Sequence, residues 1–300
     1  MVAPEARWQA LLPVLRHWPL AVAFSGGLDS RFLCFALRRA GCDVLALHAT
    51  GPHVPQAESE AARRWARAQG LPLLEVRHDP LSLPEVAVNS RERCYACKRA
   101  LMRRLRDALA AAGGCRILCD GSNADDLTAF RPGQRAVREA GVLSPLALAG
   151  LHKQELRDLG ASWGLDDPQQ AARPCLLTRL AYGMSPEPTL LSRLAAAEAD
   201  LAALPGLGDF RLRLTPEPVL QAAVLPDGLR PRVMQVLDAH GFGGAGMVEG
   251  TVSGFFDRGA CCFWGNPLII AGDARSLLHR ATGRASSRRC RYTKALPAPR

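Results

Sequence analysis

Short apolar runs and longer helical-period stretches alternate through the first half of the chain. Leu20–Phe24, Val44–His48, Leu73–Arg77 and Arg116–Cys119 are four or five residues long and rich in Leu, Val and Ala. That length and character suit strands buried on both faces. Between them, Ser30–Ala40, Ala57–Gln69 and Lys98–Ala112 keep apolar residues at helical spacing. The order predicts βαβ units and so an α/β fold, a doubly wound parallel sheet. Met1–Trp18 reads as a short amphipathic helix leading into the first strand. A fifth strand is predicted near Val142–Leu148, followed by a helix over His152–Trp163.

Pro168 to Pro174 break this rhythm, and Ala181–Pro188 has the turn chemistry of a boundary. Beyond it the pattern predicts a helix over Thr189–Ala203 and strands at Phe210–Leu214 and Val219–Val224. A helix over Leu229–Ala239, a glycine-rich turn at Gly241–Gly246 and a strand at Met247–Val252 complete it. The division expected is an α/β domain over 1–184, a smaller α+β domain over 185–280 and a basic, disordered tail over 281–300. No internal repeat is visible.

The turn after the first strand reads Ser25-Gly26-Gly27-Leu28-Asp29-Ser30. Two glycines let backbone N–H groups approach an anion closely. Ser25 and Ser30 add hydroxyls, and a helix start adds partial positive charge. Such a loop can hold a pyrophosphate, and SGGxDS after a first strand resembles the PP-loop of ATP pyrophosphatases, enzymes that cleave ATP to AMP and pyrophosphate while adenylating a substrate. The plain alternative is a strand-to-helix turn capped by Asp29. A GxxxxGK[ST] loop and a GxGxxG after the first strand are both absent, so a Walker-type NTPase and a dinucleotide fold gain no support.

Composition narrows the class. The chain has 300 residues, 48% hydrophobic, with mean hydropathy near zero, enough for a sizeable core. Run lengths fall short of a membrane span. Glu5, Arg7, Arg16 and His17 interrupt the N-terminal apolar positions, unlike a secretory signal, so a cytoplasmic protein with no membrane partner is expected. The net charge of +10 invites nucleic acid, but the arginines are scattered except in the tail. A solvated, arginine-biased surface is the favoured explanation, and a nucleotide would also benefit from a positive cleft. Ten cysteines in such a chain do not suggest disulfides. Core packing accounts for Cys34, Cys42, Cys115 and Cys119, and burial for Cys261 and Cys262. Cys290 falls in the tail.

Cys94, Cys97 and Cys175 remain. Arg93-Cys94-Tyr95-Ala96-Cys97-Lys98 is a C-x-x-C expected in a loop before a helix. A structural zinc would want four Cys or His ligands, and a second C-x-x-C is absent; a redox pair stays open. With Cys175, three thiolates could hold a [4Fe–4S] cluster with one iron open, able to carry a sulfide. Asp120-Gly121-Ser122-Asn123-Ala124-Asp125-Asp126 closes the fourth strand. Asp125 and Asp126 beside a phosphate loop could bind Mg²⁺ or a ribose hydroxyl, or form a solvated Asx turn. Arg131 follows and offers a guanidinium to an anion.

SGGLDS, RCYACK, DGSNADD with RPG, SPL at 144–146, KQELR at 153–157, and PCLLTR with YG at 182–183 occur in one order. Together, over roughly residues 15–255, they resemble the LarE-type ATP-dependent sulfur transferases, which help make a nickel-pincer nucleotide. The resemblance implies ATP and Mg²⁺ as cofactors and a small nucleotide substrate, pyridinium-3,5-biscarboxylic acid mononucleotide. A carboxylate is adenylated and sulfur then displaces AMP, giving a thiocarboxylate; a second round gives the bis-thiocarboxylate. One subgroup sacrifices the cysteine of its PCL motif, here Cys175, which becomes dehydroalanine. Another holds a [4Fe–4S] cluster on three cysteines, matched here by Cys94, Cys97 and Cys175. The resemblance also implies roles for Asp29 in the loop, Arg179 and Glu198 near the chemistry, and Arg211 with Arg213 on a nucleotide phosphate. The chain departs from the family at Thr178, where a serine is usual, and at Val219-Leu220-Gln221, where Arg-Ile-Glu is usual. A sulfide donor and self-association are expected partners. The competing readings are a tRNA thiolase with a three-cysteine cluster, an amide-forming ligase, and an ATP-holding regulator without turnover.

Overall fold

The computed structural model describes residues 2–113, 115–128, 132–252 and 255–256. Four parallel strands form its first sheet: β1 (Leu20–Ala23), β2 (Val44–Thr50), β3 (Leu73–Arg77) and β4 (Ile117–Asp120). Their order is β3-β2-β1-β4, with Leu20 opposite Val44 on one side and Ile117 on the other. The chain runs outward from β1 through β2 and β3, then returns to β1's other edge. The carboxyl ends of β1 and β4 therefore flank the point where strand order reverses, the usual place for a ligand crevice.

Both faces of this sheet are covered, as parallel strands require. Leu20, Val22 and Phe24 face helix α1 (Pro4–Leu15) and helix α2 (Leu28–Arg39), packing with Trp8, Leu15, Phe32 and Leu33. Trp65 of α3 (Gln56–Ala68) stacks on Phe24 with ring centres 5.5 Å apart. Ala21, Leu47 and Leu118 point the other way, onto Met102 and Leu105 of α4 (Arg93–Ala111). The period-2 alternation along β1 thus feeds two separate cores.

Beyond a short helix, α5 (Pro132–Glu139), α6 (Lys153–Trp163) starts with Glu155 accepting the His152 N–H at 2.9 Å and ends at Gly164 in the left-handed region. These are start and stop signals of the expected kind. After α7 (Pro188–Ala202) comes a second, three-stranded sheet with α8 (Arg230–Ala239). In it β5 (Phe210–Arg213) runs antiparallel to β6 (Val219–Ala222), and β6 runs parallel to β7 (Gly246–Glu249). Leu176, Leu180, Leu191, Leu194, Leu212 and Leu220 form its core.

Several expectations change. The fifth strand over 142–148 reduces to one parallel bridge between Leu143 and Cys119, and Pro145–Leu148 turns helical. Pro145 has no N–H for a ladder and starts a helical turn readily. The helix predicted from Lys98 begins at Arg93, so the C-x-x-C lies inside it rather than in a loop. The first helix spans only Pro4–Leu15, and the last strand only Gly246–Glu249. Cys34, Cys42 and Cys119 are buried as expected, but Cys115 is exposed. Arg131, Cys261, Cys262, Cys290 and the tail at 281–300 lie outside the described residues. Among those described, no helix is long and apolar enough to cross a membrane.

Candidate active site

The glycine turn is shaped by packing from two sides. Gly26 has φ +79°, and a Cβ there would sit 2.9 Å from the Ala62 Cβ of α3. Both facts demand glycine. Gly27 caps α2; its N–H donates to Ser25 Oγ at 3.3 Å, and Ser30 Oγ donates to its carbonyl at 3.0 Å. The first N–H groups of any helix lack intrahelical partners. Those of α2 open next to the switch point.

The second motif closes against this turn. Gly121 lies so near α2 that a Cβ would be 3.0 Å from the Ser30 nitrogen. Asn123 Nδ2 donates to Asp29 Oδ1 at 3.2 Å, and Lys153 Nζ donates to Asp29 Oδ2 at 2.8 Å. Asp125 accepts from the Lys153 N–H at 2.8 Å and pairs with His152 Nδ1 at 2.7 Å. These bonds hold the Asp125 carboxyl below the ordinary carboxylate range, the His152 contact most strongly. Asp126 Oδ2 accepts the Asn123 N–H at 3.1 Å. Ser25, Gly26, Gly27, Asp29, Ser30, Asp125 and Asp126 thus share one rim. Lys153 and Asn123 join them. Both lie in stretches that carry the family resemblance, DGSNADD and KQELR, but sequence alone gives neither a role, because a lone lysine at a helix start carries no signature. Each carboxylate oxygen of Asp29 and Asp125 thus accepts a hydrogen bond from within the chain.

A second group gathers around Arg179, between the Cys175 loop, α7 and β5. Arg179 is buried and forms a bidentate pair with Glu198 of α7, both N···O distances 2.8 Å. Its remaining nitrogen donates to the Pro174 carbonyl at 3.0 Å. Glu198 also accepts the Leu212 N–H at 2.9 Å. The pair ties the Cys175 loop to α7 and β5. Arg211 and Arg213 share one face of β5 as a period of two requires, and both are buried. Arg211 donates to the Ala172 carbonyl. Arg213 donates to the Thr178 carbonyl at 3.0 Å and to Gln221 Oε1 at 3.2 Å. Gln221, where the resemblance implies an acid, is a neutral partner here. Half-buried Glu58 on α3 faces Arg173, Arg179 and Arg211; burial still raises its pKa above the ordinary value.

The three thiols are placed from two directions. Cys94 and Cys97 are three apart on α4, hence on one face. Cys175 arrives on a loop fixed by the Leu176 N–H donating to the His53 carbonyl at 3.0 Å. Burial pushes the Cys97 thiol up to about 12, with Cys175 and Cys94 adding to the rise. Burial, then Cys94, raises Cys175 against the opposing Arg179 and Arg93. The three therefore lie within electrostatic reach of one another, and as free thiols two of them stay protonated near neutral pH. Among the described residues, the group whose ligand atoms all fall within 4.8 Å is a different one, His53, His78 and Cys97.

A parallel α/β sheet with a glycine-rich anion turn and paired acids at its switch point defines the class of this protein. No protein-family model matches the chain. It is 32% identical over 196 residues to the pyridinium-3,5-bisthiocarboxylic acid mononucleotide synthase of Lactiplantibacillus plantarum, covering 65% of this chain and 70% of that protein. An uncharacterized Synechocystis protein is 35% identical over 193 residues, covering 64% of this chain and 71% of its own. A solved NMN synthetase from Francisella tularensis aligns with TM-score 0.45 and 17% identity over 57% of this chain and 76% of that one. The chain belongs to the LarE-type family of the pyridinium-3,5-bisthiocarboxylic acid mononucleotide synthase.

Proposed function

We propose that this protein is an ATP-dependent sulfur transferase acting on pyridinium-3,5-biscarboxylic acid mononucleotide in nickel-pincer cofactor synthesis. The observation that carries the reading is the convergence of Asn123 and Lys153 on Asp29 of the 25–30 turn at the switch point, with Asp125 bound to the Lys153 N–H. The named relative, whose product is a bis-thiocarboxylate, supports the substrate.

In this reading the turn N–H groups, Ser25, Ser30 and Lys153 bind the ATP phosphates, and the substrate carboxylate attacks the α-phosphorus. The P–O bond to pyrophosphate breaks as the acyl–adenylate bond forms. A sulfur nucleophile then adds to the acyl carbon, and AMP leaves with the C–O electron pair. Arg211 and Arg213 face the substrate's phosphate, while Arg179 and Glu198 hold the Cys175 loop in place. Mg²⁺, held by Asp29 and Asp125 with phosphate oxygens, would neutralise developing charge. Cys94, Cys97 and Cys175 fit a [4Fe–4S] cluster by donor type, and that cluster would supply sulfide. We also take 1–184 as the ATP domain and 185–280 as the substrate and association domain.

The test is pyrophosphate release and thiocarboxylate formation with the biscarboxylate mononucleotide and with bulk tRNA side by side. Turnover on the mononucleotide is expected. Turnover on tRNA alone would make the protein a tRNA thiolase, and release dependent on neither would overturn the reading.

A further inference from the structure

One cluster of metal-ligating side chains is left unused by the ATP chemistry. His53 follows β2, His78 follows β3, and Cys97 sits in the first turns of α4. One ligand atom from each lies within 4.8 Å of the other two. His78 Nε2 is 3.4 Å from Cys97 Sγ, and the two imidazole rings meet edge-on at 5.5 Å. His53 is 6% exposed and His78 1%. The Nδ1 of each is buried without a hydrogen-bond partner among the described residues. A buried polar atom left unpaired is destabilising, so an orphaned nitrogen on each of the two imidazoles favours a ligand bound at this cluster. The backbone holds the group rigidly. A Cβ on Gly51 would fall 1.9 Å from the His78 carbonyl oxygen, so the strand ends carrying both histidines pack together.

Two imidazoles and one thiolate make a borderline-soft donor set. It suits Zn²⁺ and its first-row neighbours and disfavours Mg²⁺ or Ca²⁺, which want oxygens. Three protein ligands leave the fourth tetrahedral position open, the pattern of zinc sites that take an exogenous ligand.

We propose that His53, His78 and Cys97 bind one divalent ion of the zinc class, with its fourth position free for a small ligand. This goes beyond the sulfur-transfer reading and shares one residue with it. The Cys97 sulfur serves either this ion or a three-cysteine cluster, so the ion belongs to protein that carries no cluster, where the sulfur for transfer would come from Cys175.

The test uses untagged full-length protein, stripped by chelator without air and titrated with Co²⁺ as a spectroscopic substitute for Zn²⁺. One Co²⁺ per chain is expected, four-coordinate, with a single-thiolate charge-transfer band that Zn²⁺ abolishes. His53→Ala and His78→Ala should each weaken binding more than about 100-fold, beyond the 10–100-fold typical of outer-shell partners. Cys94→Ser and Cys175→Ser should leave affinity unchanged. Absence of Co²⁺ uptake, retention in both histidine variants, or loss with Cys94→Ser or Cys175→Ser would overturn the proposal. Should a histidine variant fail to fold, the wild-type spectrum decides: three thiolates on the ion would sink it. Pyrophosphate release is measured separately, so failure of the sulfur-transfer reading leaves the metal result intact.

Discussion

Lys153 shows how much one side chain can hold at a switch point. Its ammonium joins α6 to Asp29 at the start of α2, and the pair is only partly buried. Lys153→Ala should therefore cost less than about 1 kcal/mol of stability while lowering pyrophosphate release about 100-fold, as loss of a charge-stabilising donor does. Parallel urea titrations and pyrophosphate assays check both halves. Arg179 makes the opposite case. It and Glu198 are 4% and 14% exposed in their side chains. Arg179→Ala leaves a buried carboxylate unpaired and should cost about 3–5 kcal/mol in urea unfolding. Glu58 is a titration test. Its folded pKa is raised by burial, with Glu198 adding and Arg173, Arg179 and Arg211 opposing. A raised carboxyl stabilises the fold below its unfolded pKa of 4.5 and loses that contribution as pH rises through the folded value. Glu58→Gln should thus stabilise the free protein more at pH 8 than at pH 4, read from denaturant midpoints.

At the scale of elements, α2 depends on glycines that belong to its neighbours. Gly26 yields to α3, and Gly121 yields to α2 itself. Gly26→Ala combines left-handed backbone strain of about 1–2 kcal/mol with a clash against Ala62. It should abolish pyrophosphate release, with a smaller loss in melting temperature, measured together. Strand and helix existence in the first sheet was legible because buried parallel strands and amphipathic helices carry different periods. The fifth strand was misread because 142–148 is apolar on both counts, and only the Pro145 turn distinguishes it. The C-x-x-C was placed in a loop because no cap marks the start of α4. Glu92 makes no side-chain cap there, and tertiary packing on Met102 and Leu105 carries that helix instead.

At the scale of the whole molecule, sulfur delivery separates the surviving routes. If the three cysteines hold a cluster, protein purified without air carries iron and sulfide that vanish in Cys94→Ala, Cys97→Ala and Cys175→Ala, as metal analysis would show; if the zinc-class ion holds Cys97, that iron is absent from the wild type too. If iron is absent, intact mass after turnover should find dehydroalanine at Cys175 instead.

The residues alone determined the βαβ rhythm, the glycine turn at 25–30 and the acids after β4, since each is a local pattern of apolar period, glycine and carboxylate. Cys94 and Cys97 are three apart in the sequence, but that this spacing lies on one helix face follows from the packing that starts α4 at Arg93. Tertiary structure alone decided that Lys153 meets Asp29 and that Arg179 is locked to Glu198. It also decided that His53, His78 and Cys97, from three separate elements, converge. Those contacts depend on strand order and on how distant loops and helices pack against one another, and neither is encoded within any single stretch of chain.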